Sequence, residues 1–317
     1  MLKSKGFYKG INFGGWFSQC DYSEDRMDNF ITEADFEKVS EWGADHVRLP
    51  VDYNIFENDD GTYKEEGFKR IDRVFELCEK YHLNAVLDLH KTAGFSFDNY
   101  GESETGFFEN EQLQERFYRL WEQLAKRYGK LNGRVAFELL NEVTDKEYID
   151  VWNKVSCECI KRIREYAPDT LILVGSYYNN SACAVPDLDK PYDDKVIYNF
   201  HCYEPLKFTH QGAYWTDMIN PADRFTFDES NITEEFFEEL FAPAIKAAEA
   251  NKTTLYCGEY GVINTVSPEE ALKWFRCINS VFEKHNISRC AWSYKEMDFG
   301  LSDSRLDGVR KELLKYI

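Results

Sequence analysis

Two glutamates, each at the end of a short apolar run, are the side chains in this sequence best suited to chemistry. Glu142 closes the run Val-Ala-Phe-Glu-Leu-Leu-Asn-Glu, and Glu259 closes Thr-Leu-Tyr-Cys-Gly-Glu. A carboxylate at the end of a buried strand is costly to desolvate unless it is exposed at a site, so the pair indicates a shared cleft. Two carboxyl groups flanking one bond are the arrangement that hydrolyses glycosidic bonds.

Polar side chains also stand at the ends of other apolar runs. They are Arg48, His90, His201 and Tyr203. Any one of them, taken alone, is more often a satisfied hydrogen-bonding residue than a catalytic one. Polar groups at successive run ends point to a site, because chance would scatter them along strands and helices alike. Side chains alternate between the two faces of a strand, so Glu138 lies on the same face as Glu142. It lies deeper in the barrel than Glu142, and we interpret it as a buried structural carboxylate with an arginine partner.

These residues need a scaffold that brings the run ends together. Eight apolar runs have the character of buried parallel strands, and they end near Phe13, Leu49, Leu89, Leu140, Val174, Phe200, Gly258 and Trp292. Amphipathic helical stretches alternate with them, at 32–42, 68–81, 111–128, 146–166, 233–250, 268–285 and after 304. Eight units of one strand and one helix in 317 residues average about 40 residues each, which matches a closed (β/α)₈ TIM barrel.

Two spacings depart from this repeat. Only 26 residues separate Val174 from Phe200, and prolines interrupt them, so the helix there is predicted to be short or absent. By contrast, 58 residues separate Phe200 from Gly258, which predicts an extended loop between strands six and seven. No nucleotide-binding glycine pattern follows the first strand, which disfavours a Rossmann fold. We therefore predict one domain, residues 1–317, built as a single barrel.

Composition narrows the possible partners. The formal net charge of −19 and the isoelectric point near 4.8 would repel nucleic acid and anionic lipid, so we expect neither as a partner. No metal or other cofactor is expected, and the protein is expected to be a monomer. Nine scattered cysteines indicate reduced core residues. The amino terminus lacks an apolar leader, which predicts a cytoplasmic protein as written, or an extracellular one if a leader was trimmed.

The polar residues and their contexts match one enzyme family in chain order. The matching residues are Arg48, His90, Asn141-Glu142, His201, Tyr203, Glu259 in Gly-Glu-Tyr-Gly, and Trp292. From Gly10 to Phe299 the pattern resembles glycoside hydrolase family 5, whose members are retaining (β/α)₈ glycosidases. Longer strings resemble the small signal-less bacterial endoglucanases of that family. Tyr260 departs from the Gly-Glu-Phe-Gly that the family commonly carries.

The resemblance implies a division of roles in the site. Glu142 would be the general acid/base and Glu259 the nucleophile. Arg48 and Tyr203 would lie beside Glu259, and His201 beside Glu142.

The resemblance also implies contacts to sugar. Asn141 would bind the 2-hydroxyl, His90 would line the same subsite, and Trp292 would form a platform at the cleavage point. Trp215 and Trp16 are further candidates, and ordinary hydrophobic packing is the alternative for each aromatic. The weaker candidates are Phe95, Phe97, Tyr100, Phe208 and Tyr214.

The implied substrate is a soluble β-1,4-linked glucan, including mixed-linkage β-1,3-1,4-glucan, cut by an endo-acting enzyme. Two alternatives within the family stay open, a β-mannanase and an exo-acting β-1,3-glucanase. An alternative from another class is a carbohydrate-binding protein without activity. Such a protein would keep the aromatic residues and lose a carboxylate, whereas this sequence has both glutamates.

Overall fold

A closed barrel of eight parallel strands forms the centre of the protein. The computed structural model describes residues 2–98 and 104–317. The strands follow one another around the barrel in chain order, and β1 pairs with β8 to close it. They are β1 Lys9–Asn12, β2 His46–Asp52, β3 Asn84–Lys91, β4 Val135–Glu138, β5 Ile172–Val174, β6 Val196–Cys202, β7 Leu255–Tyr260 and β8 Ser288–Ala291. The predicted (β/α)₈ fold is confirmed.

Helices alternate with the strands and cover the outside of the barrel. Within the described residues the α-helical segments are α1 Glu24–Asn29, α2 Glu33–Glu41, α3 Tyr53–Phe56, α4 Glu65–Lys80, α5 Glu111–Tyr128, α6 Ile149–Tyr166, α7 Tyr177–Asn180, α8 Leu206–Thr209, α9 Glu234–Ala250, α10 Pro268–His285 and α11 Arg310–Leu313. Short 3₁₀ helices lie at Lys3–Lys5, Gly129–Leu131, Lys146–Tyr148, Ala182–Asp187 and Ser304–Leu306.

The sequence sets where the long helices begin and which face they bury. In α10, the Ser267 hydroxyl accepts a hydrogen bond from the Glu270 backbone N–H, and Pro268 occupies the first turn. In α4, Phe68, Ile71 and Val74 recur at helical spacing and are buried against the barrel. The α4 helix begins three residues before the predicted start, because the acidic residues 65–66 suit the positive end of a helix dipole.

The two predicted irregularities are both present. Between β5 and β6 the described chain forms only the four-residue segment α7 and the 3₁₀ helix Ala182–Asp187 instead of a full α-helix. Between β6 and β7, after α8 ends at Thr209, residues 210–233 form an extended loop before α9 begins. Both connections follow the carboxyl ends of strands, where loops shape the site of a barrel.

None of the described helices is both long and apolar enough to cross a membrane.

Candidate active site

The polar residues singled out in the sequence converge at the carboxyl ends of the strands. Most lie at the carboxyl end of a strand or just beyond it: His90 in β3, Asn141 and Glu142 beyond β4, His201 in β6, Tyr203 beyond β6, Glu259 in β7 and Trp292 beyond β8. Arg48 differs from the prediction, because β2 continues to Asp52 and Arg48 is the third residue of that strand. A shift of register in β6 sets His201 opposite Glu259 in the sheet. The barrel therefore gathers at one end side chains that are far apart in the sequence.

Glu259 accepts hydrogen bonds on both carboxylate oxygens. Arg48 Nη1 donates to Oε1 at 2.7 Å, and the Tyr203 hydroxyl donates to Oε2 at 2.8 Å. The residue before Glu259, Gly258, has no room for a side chain, since a Cβ at that position would lie 2.8 Å from Oδ1 of Asn199. Glu259 is thus fixed in orientation as an acceptor, beside a permanent positive charge.

Arg48 organises the floor of the site from a fully buried position. It pairs with both oxygens of Glu138, at 2.7 and 2.8 Å, and with Asp88 Oδ2 at 3.0 Å. Burial opposes the charge of the guanidinium, but these carboxylates outweigh burial and raise the pKa of Arg48. Glu138 is therefore a structural carboxylate with an arginine partner, as its position in the strand predicts.

Glu142 has surroundings of a different kind. Its carboxyl Oε1 lies 2.7 Å from His201 Nδ1, and its Oε2 accepts a hydrogen bond from Asn179 Nδ2 at 3.0 Å. Burial raises the pKa of Glu142 to about 6. Burial also lowers the pKa of His201 to about 4, so this imidazole is neutral near neutral pH. Within the described part of the chain no Lys or Arg is in hydrogen-bonding contact with Glu142, which holds its proton to a higher pH than an ordinary glutamate.

The two glutamates lie close together across the site. A carboxylate oxygen of Glu142, a ring nitrogen of His201 and a carboxylate oxygen of Glu259 all lie within 4.8 Å of one another. Among the described residues, this is the only cluster of such side chains that could hold a metal ion. The guanidinium of Arg48 and the hydroxyl of Tyr203 already occupy the oxygens of Glu259, so the arrangement favours acid–base and nucleophilic chemistry by the carboxyl groups themselves.

Two of the buried polar atoms that have no hydrogen-bond partner among the described residues belong to predicted site residues. They are Nδ2 of Asn141 and Nε2 of His90. The opposite atom of each side chain is held, since Asn141 Oδ1 accepts from Arg48 at 2.8 Å and His90 Nδ1 lies 2.6 Å from Asp88 Oδ2. Buried polar atoms are normally satisfied, so a ligand with hydroxyl groups suits this position.

Comparison with known proteins identifies the enzyme family. The model of the cellulase family, glycosyl hydrolase family 5, matches residues 8–298. The chain belongs to glycosyl hydrolase family 5. It is therefore a glycoside hydrolase, and the family resemblance drawn from the sequence is confirmed.

Individual relatives within family 5 cover nearly the whole chain. Cellodextrinase A of Ruminococcus flavefaciens is 61% identical over 91% of this chain and 86% of its own length. Endoglucanase C of Acetivibrio thermocellus is 38% identical over 98% of each chain. Among solved structures, Thermotoga maritima Cel5A in complex with mannotriose has a TM-score of 0.81 at 26% identity, covering 98% of this chain and 97% of that one. The same protein has also been solved in complex with cellobiose.

The aromatic candidates of this family-5 site differ in their surroundings. Trp292 follows β8 and lies beside His90, with its ring parallel to that of His90 at 6.1 Å between centroids. Trp215 is 44% exposed on the β6–β7 loop. Its edge contacts His210, which in turn contacts Tyr203. Trp215 is thus exposed on a loop that leads away from Tyr203, the hydrogen-bond partner of Glu259.

Trp16 is held within the hydrophobic core instead. Its ring stacks on Phe17 at 4.2 Å, and its indole N–H donates to the backbone oxygen of Met27 at 2.8 Å. These contacts account for Trp16 by packing, the alternative that the sequence left open. Of the weaker candidates, Phe95 and Phe208 are buried, Phe97 packs on His90 and Tyr214 is exposed. Tyr100 lies outside the described residues.

Sequence reasoning missed several residues that contact the predicted ones, and Asp88 and Asn179 are the two that bear most on the site. Asp88 holds His90 and Arg48, and its position two residues before His90 on the same strand face could have indicated it. Asn179 contacts Glu142 from the connection after β5, and no strand pattern points to it. The only sequence signal is the run Tyr-Tyr-Asn-Asn, in which asparagine is a residue that tolerates left-handed backbone.

Proposed function

We propose that this protein is a retaining, endo-acting β-glucanase that hydrolyses β-1,4-glucosidic bonds in soluble glucans of the cellulose and mixed-linkage types. The observation that carries the mechanism is the short distance between Glu142 and Glu259, whose nearest carboxylate oxygens lie within 4.8 Å of each other. Retaining glycosidases have carboxyl groups about 5–5.5 Å apart, and inverting ones need about 6.5–9.5 Å to admit a water between them.

The surroundings of each glutamate support one role in a double displacement. Glu259, oriented by Arg48 and Tyr203, attacks the anomeric carbon as the glycosidic C–O bond breaks. Glu142 gives its proton to the departing oxygen, a role that its pKa of about 6 suits. Glu142, now ionised, then takes a proton from a water that attacks the same carbon and releases Glu259.

The sugar bound at the cleavage point would satisfy the polar atoms that the protein leaves unpaired. Asn141 Nδ2, which has no partner among the described residues, would donate to the sugar 2-hydroxyl, a contact that strengthens in the oxocarbenium-like transition state. His90 Nε2 offers a second polar atom beside the ring of Trp292. Trp215 extends the aromatic surface along the β6–β7 loop.

The relatives support glucan as the polymer. Proteins named cellodextrinase and endoglucanase are 61% and 38% identical to this chain over most of its length. A β-mannanase is the second candidate, because the similar Thermotoga maritima Cel5A has been solved with mannotriose as well as with cellobiose. Initial rates on matched cello- and manno-oligosaccharides separate the two candidates.

The stereochemistry of the first product tests the mechanism. Proton NMR during early hydrolysis of a cello-oligosaccharide is expected to show the β-anomer first, with the α-anomer appearing only by mutarotation. An α-anomer formed first would contradict the retaining mechanism and leave the family membership intact.

A further inference from the structure

The connection after β5 has an unusual backbone beside the proposed acid. Tyr178, Asn179 and Asn180 are three consecutive residues with left-handed φ angles of 51°, 55° and 57°. Single asparagines adopt this region readily, but runs of it are unfavourable for residues that carry a Cβ. A run of this kind persists only where the surrounding structure holds it, and such sites cluster at functional positions.

Backbone hydrogen bonds hold this run against the segment that follows Glu142. The Tyr178 N–H donates to the Thr144 carbonyl at 3.0 Å, and the Asn179 N–H donates to the Val143 carbonyl at 3.0 Å. These hydrogen bonds hold the backbone of Asn179 against the two residues that directly follow Glu142. The position of the Asn179 side chain relative to Glu142 is fixed by these contacts.

Asn179 uses this position to donate a hydrogen bond to the acid. Its Nδ2 lies 3.0 Å from Glu142 Oε2, while His201 faces the other oxygen. Asn179 is exposed and Glu142 is only 8% exposed, so the amide stands on the solvent side of the carboxyl.

The type of donor matters for an acid/base that changes ionisation twice in each turnover. Burial raises the pKa of Glu142, and the hydrogen bond from Asn179 acts against that rise. An arginine here would keep the carboxylate ionised and disable it as an acid. A neutral amide stabilises the ionised form by a hydrogen bond alone, which leaves the protonated form accessible.

We propose that Asn179 is a positioning residue for catalysis, which orients the carboxyl group of Glu142 and moderately stabilises its ionised form. The inference rests on the proposed function in one respect, that Glu142 is the acid/base. Asn179 acts through Glu142 and is not itself a reacting group.

The test compares pH profiles of kcat/KM on an unactivated cello-oligosaccharide, whose cleavage needs the acid. In Asn179→Ala the alkaline limb is expected to move up by about half to one pH unit, the net equivalent of about one hydrogen bond. In Asn179→Asp it should move further, because a second carboxylate beside the first disfavours ionisation. Loss of stability alone would lower the amount of active enzyme and leave the limb in place.

Two further variants separate this role from backbone strain. Asn179→Gly removes the amide and adopts left-handed φ without strain, so it should fold well and move the limb as the alanine variant does. Asn286→Ala makes the same substitution at another exposed asparagine with φ of 52°, the C-cap of α10. That cap precedes β8 and so lies at the opposite end of the barrel from Glu142. The Asn286→Ala variant should have a lower melting temperature and an unchanged alkaline limb.

The inference is overturned if the three Asn179 variants keep the wild-type limb, or if Asn286→Ala moves it equally. Glu142→Gln reports separately on the proposed function. Should Glu142→Gln keep full kcat/KM and the same alkaline limb on the same oligosaccharide, Glu142 is not the acid, whatever the Asn179 variants do.

Discussion

At the scale of single residues, Glu142 and Glu259 are the same side chain in two different settings. Glu259 accepts from a guanidinium and a phenol, whereas Glu142 faces a neutral imidazole and a neutral amide. A charged donor favours the ionised form, and burial without one favours the protonated form. Pairs of carboxyl groups whose environments differ in this way divide the work of acid and nucleophile between them.

The division of roles predicts different losses in the two glutamate variants. Glu259→Gln should abolish turnover on every substrate, because no covalent intermediate can form. Glu142→Ala should lose activity on cello-oligosaccharides but keep it on aryl cellobiosides with good leaving groups, which need no proton. Azide should then accelerate the Glu142→Ala variant by intercepting the intermediate, with a glycosyl azide as product. Equal losses on both substrate classes without azide rescue would reverse or reject the assignment.

The pH dependence follows from the same pair. The acid must be protonated in the free enzyme, so kcat/KM on an unactivated substrate should fall above about pH 6, where Glu142 ionises. His201, whose pKa is lowered to about 4, stays neutral across this limb and should not contribute to it. A pH profile of kcat/KM with an aryl cellobioside as the control should show a weaker alkaline limb. A limb of equal slope on both substrates would contradict the assignment to the acid.

At the scale of elements, the strands could be predicted from the sequence and part of the connections could not. Apolar runs define parallel strands, and their polar carboxyl ends predicted His90 and Glu259 together, since a barrel brings strand ends to one face. Arg48 lies within β2, before its carboxyl end, and its long side chain reaches Glu259 from there. Asn179 could not be predicted, because its contact depends on a left-handed turn held by carbonyls of a different connection. Trp16 and Trp215 look alike in sequence, and only packing separates a core ring from an exposed one.

The β6–β7 loop carries a prediction of its own. Trp215→Ala should raise KM for longer cello-oligosaccharides by roughly tenfold, about 1.4 kcal/mol of lost binding, with little change in kcat. The ring lies outside the contacts that hold Glu142 and Glu259, so chemistry should be spared. Tyr166→Ala is a matched control, because Tyr166 is 40% exposed at the carboxyl end of α6, on the opposite end of the barrel. An unchanged KM in Trp215→Ala would remove this residue from the substrate-binding surface.

At the scale of the whole molecule, the barrel makes the floor of the site rigid. Arg48 is buried and tied to Glu138, Asp88, Asn141 and Glu259, which come from three other strands and the segment after β4. Its removal would leave several buried carboxylates without a cation, which is more costly than the loss of a surface ion pair. A single packed network thus fixes both Glu259 and the amide of Asn141. The orientation of this amide, the proposed sugar-binding group, is therefore a property of the folded barrel and not of a mobile loop.

This rigidity predicts a preference for glucan over mannan. Asn141 Oδ1 is held by Arg48, so its amide cannot turn freely and its unpaired Nδ2 points one way. The 2-hydroxyl is equatorial in glucose and axial in mannose, and a fixed donor can meet only one of these positions well. We expect kcat/KM on cello-oligosaccharides or mixed-linkage oligosaccharides to exceed that on matched manno-oligosaccharides by about tenfold or more.

The control for this preference is Asn141→Ala, which removes the donor. The ratio of kcat/KM between cello- and manno-oligosaccharides of equal length should shrink in that variant, because the glucan loses a contact that the mannan never made well. Equal or higher kcat/KM on the manno-oligosaccharides in the wild-type enzyme would overturn the glucan preference and favour the mannanase alternative. The fold and the roles of Glu142 and Glu259 would stand in either case, since they depend on the carboxyl groups and not on the configuration at carbon 2.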